Sequence, residues 1–269
     1  MNEQELREQI CLIGQLMHQK NFIDGGSGNI SARLDRDRIL ATPSGLAKGF
    51  MLPDQLITVD LDGNRVGPIT PENAHLQPTS ELLMHLECYM QRDDIQGVVH
   101  AHPPTAVALT IAGYDFARCL IPEVVVLLGI IPTTPYATPS GAENRDAIRD
   151  LIREHDAILL AYHGSLTVSD TVWKAYLRLE SLEHSARILY KVQMLGGPKS
   201  PISPHQVEKL LALREKLGLA RPGDAERFYA SCGVMPQGAT TPPADVERQV
   251  RAIIREVLSD LDVQVLLQP

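Results

Sequence analysis

Long apolar runs are absent from this sequence of 269 residues. No stretch approaches the roughly 20 consecutive apolar residues that a membrane-crossing helix requires. The first ten residues, MNEQELREQI, are polar and acidic, unlike the apolar core of a secretory signal. We therefore expect a cytoplasmic protein with no membrane partner.

An excess of basic residues is also absent, because 25 Lys and Arg stand against 33 Asp and Glu, for a formal net charge of −8. Non-specific binding to nucleic acid requires a basic face that neutralises the phosphate backbone. The composition therefore predicts no nucleic-acid partner, and any phosphorylated ligand must be held by local groups.

Closely spaced cysteines are missing as well. The four cysteines lie far apart and form no CxxC pair: Cys11, Cys88, Cys119 and Cys232. This spacing suggests neither a disulfide framework nor a thiolate metal site. We expect four buried, unreactive thiols.

Apolar residues make up 44% of the chain, which is ample for a core. Their periodicity predicts helices at residues 4–20, 78–92, 170–195 and 203–218, and another that begins at Pro103 or Pro104. Strands are predicted at residues 30–34, 38–42, 56–60, 95–102 and 157–164. Asp62 and Gly63 indicate a hairpin turn, and Thr79 or Ser80 is expected to cap a helix. Irregular alternation of these elements predicts a layered α/β domain.

Two histidines one residue apart end the predicted strand in GVVHAHPP, residues 97–104. Side chains at i and i+2 of a strand share a face, so His100 and His102 can present two imidazoles to one point. His163 ends another predicted strand, and Glu81 begins the preceding helix. Imidazole is a common zinc ligand, and active-site groups gather at such element ends. The pattern predicts a metal site, although an isolated pair of histidines at a strand end can equally be polar edge residues.

The composition changes near residue 220. Residues 233–244, GVMPQGATTPPA, are rich in Gly, Pro and Thr, which is typical of a linker. From Val246 to Leu261 the apolar residues then recur at helical spacing and form one continuous stripe. We predict a main domain over residues 1–220, a linker over 221–244 and an amphipathic helical tail over 245–269.

Five motifs, GGSGNIS, TPSG, PTSE, VVHAHPP and LLAYHG, follow one another in this sequence. In this order and at these separations they resemble the class II aldolase/adducin family, over about residues 5–217. That family includes fuculose-1-phosphate and rhamnulose-1-phosphate aldolases and ribulose-5-phosphate 4-epimerase. The resemblance implies a three-layer α/β/α catalytic domain with a mixed central sheet, assembled as a homotetramer with sites near subunit interfaces.

The resemblance further implies a Zn²⁺ enzyme whose metal ligands are Glu81, His100, His102 and His163. Zinc would hold the negative charge that develops when a bond beside a ketone breaks. Glu81 would act as the catalytic base that moves a proton to or from that carbon. The substrate phosphate would be bound by backbone N–H groups and neutral side chains at Gly28, Asn29, Ser44, Gly45, Thr79 and Ser80.

The reaction implied is retro-aldol cleavage of a phosphorylated ketose, a deoxyketose 1-phosphate, to dihydroxyacetone phosphate and lactaldehyde. The sequence departs from the fuculose enzyme where that enzyme has a tyrosine acid, because Pro122 and Glu123 stand there. Glu123, Tyr114, Tyr136 or a tail residue are the candidates for this role.

Other functions stay open within the resemblance. They are ribulose-5-phosphate 4-epimerase activity, dehydration of a ketose phosphate, and a non-catalytic scaffold like adducin. The epimerases have S-D where this chain has Ser80 and Glu81, which favours an aldolase, and retention of all four ligands argues against a scaffold. His85 is a candidate partner of Glu81 or a packing residue, and Glu180, Glu183 and His184 are expected to be structural or solvated.

The tail also carries a resemblance. A short amphipathic helix behind a Pro/Gly-rich linker resembles the encapsulation peptides that direct enzymes into bacterial microcompartments. This implies shell or cargo proteins as partners of residues 245–261, and a location inside such a compartment. Docking of the helix on its own tetramer is the alternative.

Overall fold

The computed structural model describes residues 2–114, 116 and 119–232. The α-helices are α1 (Glu3–Gln19), α2 (Leu82–Gln91), α3 (Pro104–Ile111), α4 (Ala142–Ile148), α5 (Val172–Met194), α6 (Pro204–Lys216) and α7 (Asp224–Cys232). The strands are β1 (Asn29–Arg33), β2 (Arg38–Ala41), β3 (Ile57–Asp60), β4 (Gly97–Ala101), β5 (Ala157–Leu160) and β6 (Gly164–Ser169). Short helical turns lie at Lys48–Phe50, Pro53–Gln55 and Leu151–Arg153, and a π-helix at Val124–Leu128.

The strands form one sheet in the order β3-β2-β1-β4-β6-β5. Every pairing between these strands is antiparallel. The expected mixture of strand directions is confined, within the described residues, to a single parallel bridge between Thr133 and Leu159. Strand β4 therefore lies at the centre of the sheet, between β1 and β6, and carries His100 into the interior.

Helices cover both faces of the sheet, which confirms the layered α/β architecture. On one face, α1 and the first half of α5 pack against inward residues such as Ile30 and Val99. On the other face, α2 and the Ile148–Ile152 region pack against Val98, Ile158 and Leu166. Successive residues of a strand point to opposite faces, so Val98 and Val99 of β4 belong to different cores. A third cluster joins α3 to α5 and to the outer strand β5.

Three local expectations are corrected by the structure. Helix α2 begins at Leu82 with Glu81 as its N-cap, so neither Thr79 nor Ser80 caps it. The predicted strand over residues 157–164 ends at Leu160, and the chain turns and returns as β6. Residues 224–232, expected in the linker, form α7, which buries Phe228. The rest of the predicted linker and the tail, residues 233–269, lie outside the described residues.

The cysteine expectation is half correct. Cys11 and Cys88 are buried free thiols, and burial raises the pKa of Cys11 to about 11. Cys119 and Cys232 are joined in a disulfide across 113 residues. Scattered spacing does not exclude a disulfide, because partners are chosen by proximity in the fold. Within the described part of the chain, no helix is long and apolar enough to cross a membrane.

Candidate metal centre and ligand cavity

The four predicted metal ligands converge at one point. Each of Glu81, His100, His102 and His163 offers one ligand atom, and these atoms all lie within 4.8 Å of one another. Glu81 precedes α2, and His100 lies in β4 with His102 just beyond it. His163 lies in the turn between β5 and β6. Residues up to 82 apart in sequence are thus brought together at one point.

The distances show how compact the cluster is. His100 Nε2 lies 3.0 Å from His102 Nε2 and 3.0 Å from Glu81 Oε2. His163 Nε2 lies 3.6 Å from Glu81 Oε1. The core-facing side chain of Ala101 packs on the opposite face of β4, as strand alternation requires.

Protonation in the cluster suits a metal. His100 Nδ1 lies 2.9 Å from the carbonyl oxygen of Ser165, which accepts its N–H and orients Nε2 toward the cluster. Burial lowers the pKa of both His102 and His163 to about 4, so these rings are neutral at pH 7. Burial alone would raise the pKa of Glu81, but contact with His100 and hydrogen bonds from His100 and Asn29 hold that pKa well below its usual range. Three imidazole rings and a carboxylate are a donor set that zinc accepts.

Both oxygens of the Glu81 carboxylate are anchored by buried amides. Asn29 Nδ2 of β1 donates to Oε2 at 3.0 Å, and Asn144 Nδ2 of α4 donates to Oε1 at 3.2 Å. A carboxylate oxygen has two lone-pair directions, so each oxygen keeps one free for a metal or a proton. Asn144 carried no signal in the sequence, because only the packing of α4 on α2 brings it to this site.

The turn that carries His163 is tightly constrained. Tyr162 adopts a positive φ of 62°, which is uncommon for a residue with a side chain. At Gly164, an added Cβ would lie 2.3 Å from the Ala101 carbonyl oxygen and 3.0 Å from a ring atom of His102. The absence of a side chain there lets the turn approach the end of β4 closely enough for the three rings to meet.

A cavity of about 330 Å³ opens beside the cluster. The structure brings all the predicted phosphate-binding residues to its walls, together with Glu81, His102 and His163: Gly28, Asn29, Ser44, Gly45, Thr79 and Ser80. Gly28 has a φ of 70°, and a Cβ there would meet Ile23 at 2.5 Å. Ser140, also with positive φ, donates from Oγ to Ser80 Oγ at 3.0 Å.

Lys48 is a cavity residue that the sequence analysis missed. Its side chain is buried, and Nζ donates to the carbonyl oxygens of Gly26 and Leu46, each at 2.8 Å. An ammonium has three N–H donors, so one remains for a ligand. Burial lowers the Lys48 pKa to about 8, with Glu81 opposing the shift. The cavity therefore holds a positive charge at pH 7 besides its dipoles, and the available signal was a lone lysine four residues after Ser44.

The three named candidates for the missing tyrosine do not line this cavity in the single chain. Glu123 lines a separate cavity against α5, with Leu127 and Lys174. Tyr136 is exposed and stacks edge-on with Tyr162 at 6.3 Å between ring centroids. Tyr114 is also exposed.

The fold and the site define an α/β protein with a carboxylate and three-histidine centre of the kind that holds a catalytic metal. Residues 8–190 match the family described as Class II Aldolase and Adducin N-terminal domain, and the chain belongs to that family. It is accordingly an enzyme of the lyase class.

Similar proteins share this domain almost end to end. The 3-oxo-tetronate 4-phosphate decarboxylase of Cupriavidus necator is 34% identical over 190 residues, which cover 69% of this chain and 84% of the relative. The 5-methylthioribulose-1-phosphate/5-deoxyribulose-1-phosphate aldolase of Escherichia coli is 31% identical over 212 residues, 72% of this chain and 93% of the relative. The solved L-fuculose-1-phosphate aldolase of Thermus thermophilus superimposes with a TM-score of 0.60 at 27% identity, covering 73% of this chain and 98% of that one.

Proposed function

We propose that the chain is a zinc-dependent enzyme of phosphorylated ketone substrates. It breaks the bond between the carbon next to the ketone and the following carbon. The first candidate reaction is retro-aldol cleavage of a deoxyketose 1-phosphate of the fuculose or rhamnulose type, giving dihydroxyacetone phosphate and lactaldehyde. One observation carries the proposal: the Glu81 and histidine cluster opens onto the same cavity as Lys48 and the six predicted phosphate-binding residues. A phosphate held there leaves the rest of a short sugar at the cluster.

The residues of the cluster and the cavity have three separate roles: metal binding, phosphate binding and proton transfer. His100, His102 and His163 would hold the metal with Glu81, and a bound zinc would supply a Lewis acid that stabilises charge on the ketone oxygen. The phosphate is bound by the charge of Lys48 and by backbone and hydroxyl donors around it. Glu81, ionised and on the cavity wall, is the group that would move a proton to or from the reacting carbon.

Decarboxylation is a second candidate, and a specific observation favours it. In a 3-oxo-tetronate 4-phosphate, breaking the bond between C1 and C2 releases carbon dioxide and leaves the electron pair on C2, beside the ketone. Adding one proton at C2 gives dihydroxyacetone phosphate, so the three-carbon product is the same as in the aldolase reaction. Retro-aldol cleavage must also remove the proton from the hydroxyl group whose carbon becomes the aldehyde, whereas decarboxylation has no such step. Among the residues that the structure describes, the cavity walls include no tyrosine for that step.

A substrate panel with coupled detection of dihydroxyacetone phosphate tests both reactions. Each positive substrate is then assayed for an aldehyde and for carbon dioxide, which separates the two leaving groups. We expect Glu81→Gln to abolish product formation while the protein stays folded. Epimerisation of a pentulose 5-phosphate without cleavage would overturn the proposal, as would full activity of Glu81→Gln for the role given to Glu81.

We also propose that the protein is a homotetramer and that residues 245–261 form a targeting helix for a bacterial microcompartment. The apolar stripe from Val246 to Leu261 and the linker before it support this. A helix this short is marginal alone in water and requires a partner surface. Confinement suits a reaction that releases a reactive aldehyde.

Residues 233–269, fused to a fluorescent protein and co-expressed with microcompartment shell proteins, should give punctate fluorescence. Deletion of residues 245–269 should leave catalysis unchanged, and light scattering should give a mass near four chains. Diffuse fluorescence, or loss of activity on deletion, would contradict the targeting role.

A further inference from the structure

A chain of buried polar side chains runs from the interior of the domain to Glu81. Tyr89 OH lies 2.8 Å from Ser31 Oγ, and Ser31 Oγ lies 2.7 Å from His85 Nδ1. His85 Nε2 contacts Asn29 Oδ1, and Asn29 Nδ2 lies 3.0 Å from Glu81 Oε2. All five residues are buried, so water does not compete for these hydrogen bonds.

The residues of this hydrogen-bonded series come from two elements, α2 with its N-cap and β1. Glu81, His85 and Tyr89 are spaced by four residues, which places them on one face at the start of α2 and along it. Asn29 and Ser31 are spaced by two in β1, which places them on one face of the strand. The helical face and the strand face meet with their polar residues in alternation.

The hydrogen bonds can run in one direction only. A carboxylate only accepts, so Asn29 must turn its NH₂ toward Glu81 and its oxygen toward His85. His85 Nε2 must then carry a proton to donate. Because burial lowers the pKa of His85 to about 3, the ring is neutral and Nδ1 must accept. Ser31 therefore donates to Nδ1, and Tyr89 donates to Ser31.

We propose that His85 is a positioning residue for Glu81: held as the Nε2–H tautomer by Ser31 and Tyr89, it fixes the amide orientation of Asn29 and so aims the Glu81 carboxylate at the histidine cluster. A flipped Asn29 would place two oxygens against each other in a buried site, and the carboxylate would turn away. Asn144 holds the other oxygen, so Asn29 and Asn144 together determine which lone pairs of Glu81 stay free for a ligand. The zinc-affinity and kinetic parts of this inference rest on the proposed function, whereas the tautomer of His85 does not.

The direct test is the tautomer itself. Nitrogen-15 NMR of the histidine rings in metal-free protein reports which nitrogen carries the proton, and the His85 signal is assigned by its loss in His85→Gln. We expect wild-type His85 to be protonated at Nε2, and Ser31→Ala to show Nδ1–H as well, because the donor that blocks this form is gone. Wild-type protein with the proton at Nδ1 would overturn the inference.

Zinc affinity and kinetics test the consequence. We expect His85→Leu to bind zinc about 10–100-fold more weakly, the usual cost of losing an outer partner of a ligand. His85→Gln can still donate to Asn29 and should recover most of that affinity. Ser31→Ala should lower kcat more than it changes KM, because Ser31 does not line the cavity and five of the six predicted phosphate-binding residues lie outside this hydrogen-bonded series.

Leu86→Met is the matched control, since Leu86 is a buried residue of the same helix that takes no part in the hydrogen-bonded series. It should keep wild-type zinc affinity and kcat. Wild-type zinc affinity in both His85→Leu and Ser31→Ala would refute the positioning role. If wild-type protein converts no substrate on the panel, the proposed function fails, while the NMR and zinc measurements still decide the role of His85.

Discussion

At the scale of single residues, Lys48 gives the cavity its positive charge. We expect Lys48→Met to weaken sulfate binding about tenfold, because a charge-assisted hydrogen bond is lost. Wild-type sulfate binding should also weaken as the pH rises through about 8, where Lys48 loses its proton. Sulfate is the probe because its own charge is constant in this range, and isothermal calorimetry is the measurement.

Lys174→Met is the control for that prediction, since Lys174 is exposed and pairs with Asp170 at the surface. It should change neither the affinity nor its pH dependence. A pH-independent sulfate affinity in wild type would remove Lys48 from the anion site.

The lowered pKa of Lys48 has a second consequence, for stability. Lys48 keeps its proton up to about pH 10.5 in the unfolded chain, so the unfolding free energy should rise with pH between about 8 and 10.5.

Metal binding also depends on single residues. We expect purified wild-type protein to carry about one zinc per chain and His102→Ala to lose most of it, because removing a ligand costs at least the tenfold that outer-partner changes cost. Metal content is measured by elemental analysis after dialysis. His75→Ala, at an exposed histidine outside the cluster, is the control. Equal zinc in His102→Ala and wild type would exclude His102 as a ligand.

At the scale of elements, the buried Glu183 of α5 holds the start of α3. Its Oε1 accepts the N–H of Thr105 at 3.3 Å, and its Oε2 accepts the N–H of Ala106 at 3.0 Å. These donors lie in the first turn of the helix, where no partner within the helix exists. Because α3 begins two residues after His102, this contact anchors the chain beside the histidine cluster.

We expect Glu183→Gln to lower the unfolding free energy by about 1–3 kcal/mol, since its amide would place an N–H against a buried N–H. Urea denaturation is the measurement. Glu180→Gln, one turn earlier and partly exposed beside Lys20, should cost under about 1 kcal/mol. Equal losses in the two variants would show that the contact with α3 contributes nothing specific.

At the scale of the whole molecule, the Cys119–Cys232 disulfide ties the last described helix to the segment after α3. We expect two reactive thiols per denatured chain without reductant and four with it. Cys232→Ser should lower the unfolding free energy by about 2–4 kcal/mol, the usual contribution of a native disulfide. Reductant should destabilise wild type and leave Cys232→Ser unchanged, whereas four reactive thiols without reductant would show that the link does not form.

Local periodicity in the sequence determined most of the secondary structure of this protein. Apolar spacing predicted α1, α2, α5 and α6 and most strands, because burial of one face imposes a fixed period on each element. The i, i+2 rule placed His100 and His102 on one face. Motif order identified Glu81 and His163 as their partners.

Only the tertiary structure decided which distant groups meet. Glu81 is held by Asn29 and Asn144, 52 and 63 residues away, and Cys119 finds Cys232 across 113 residues. Lys48 becomes a cavity residue only because the Gly26 and Leu46 carbonyls surround its ammonium. A period along the chain specifies which face of an element is buried, but not what that face packs against, because that choice depends on the packing of all the layers together.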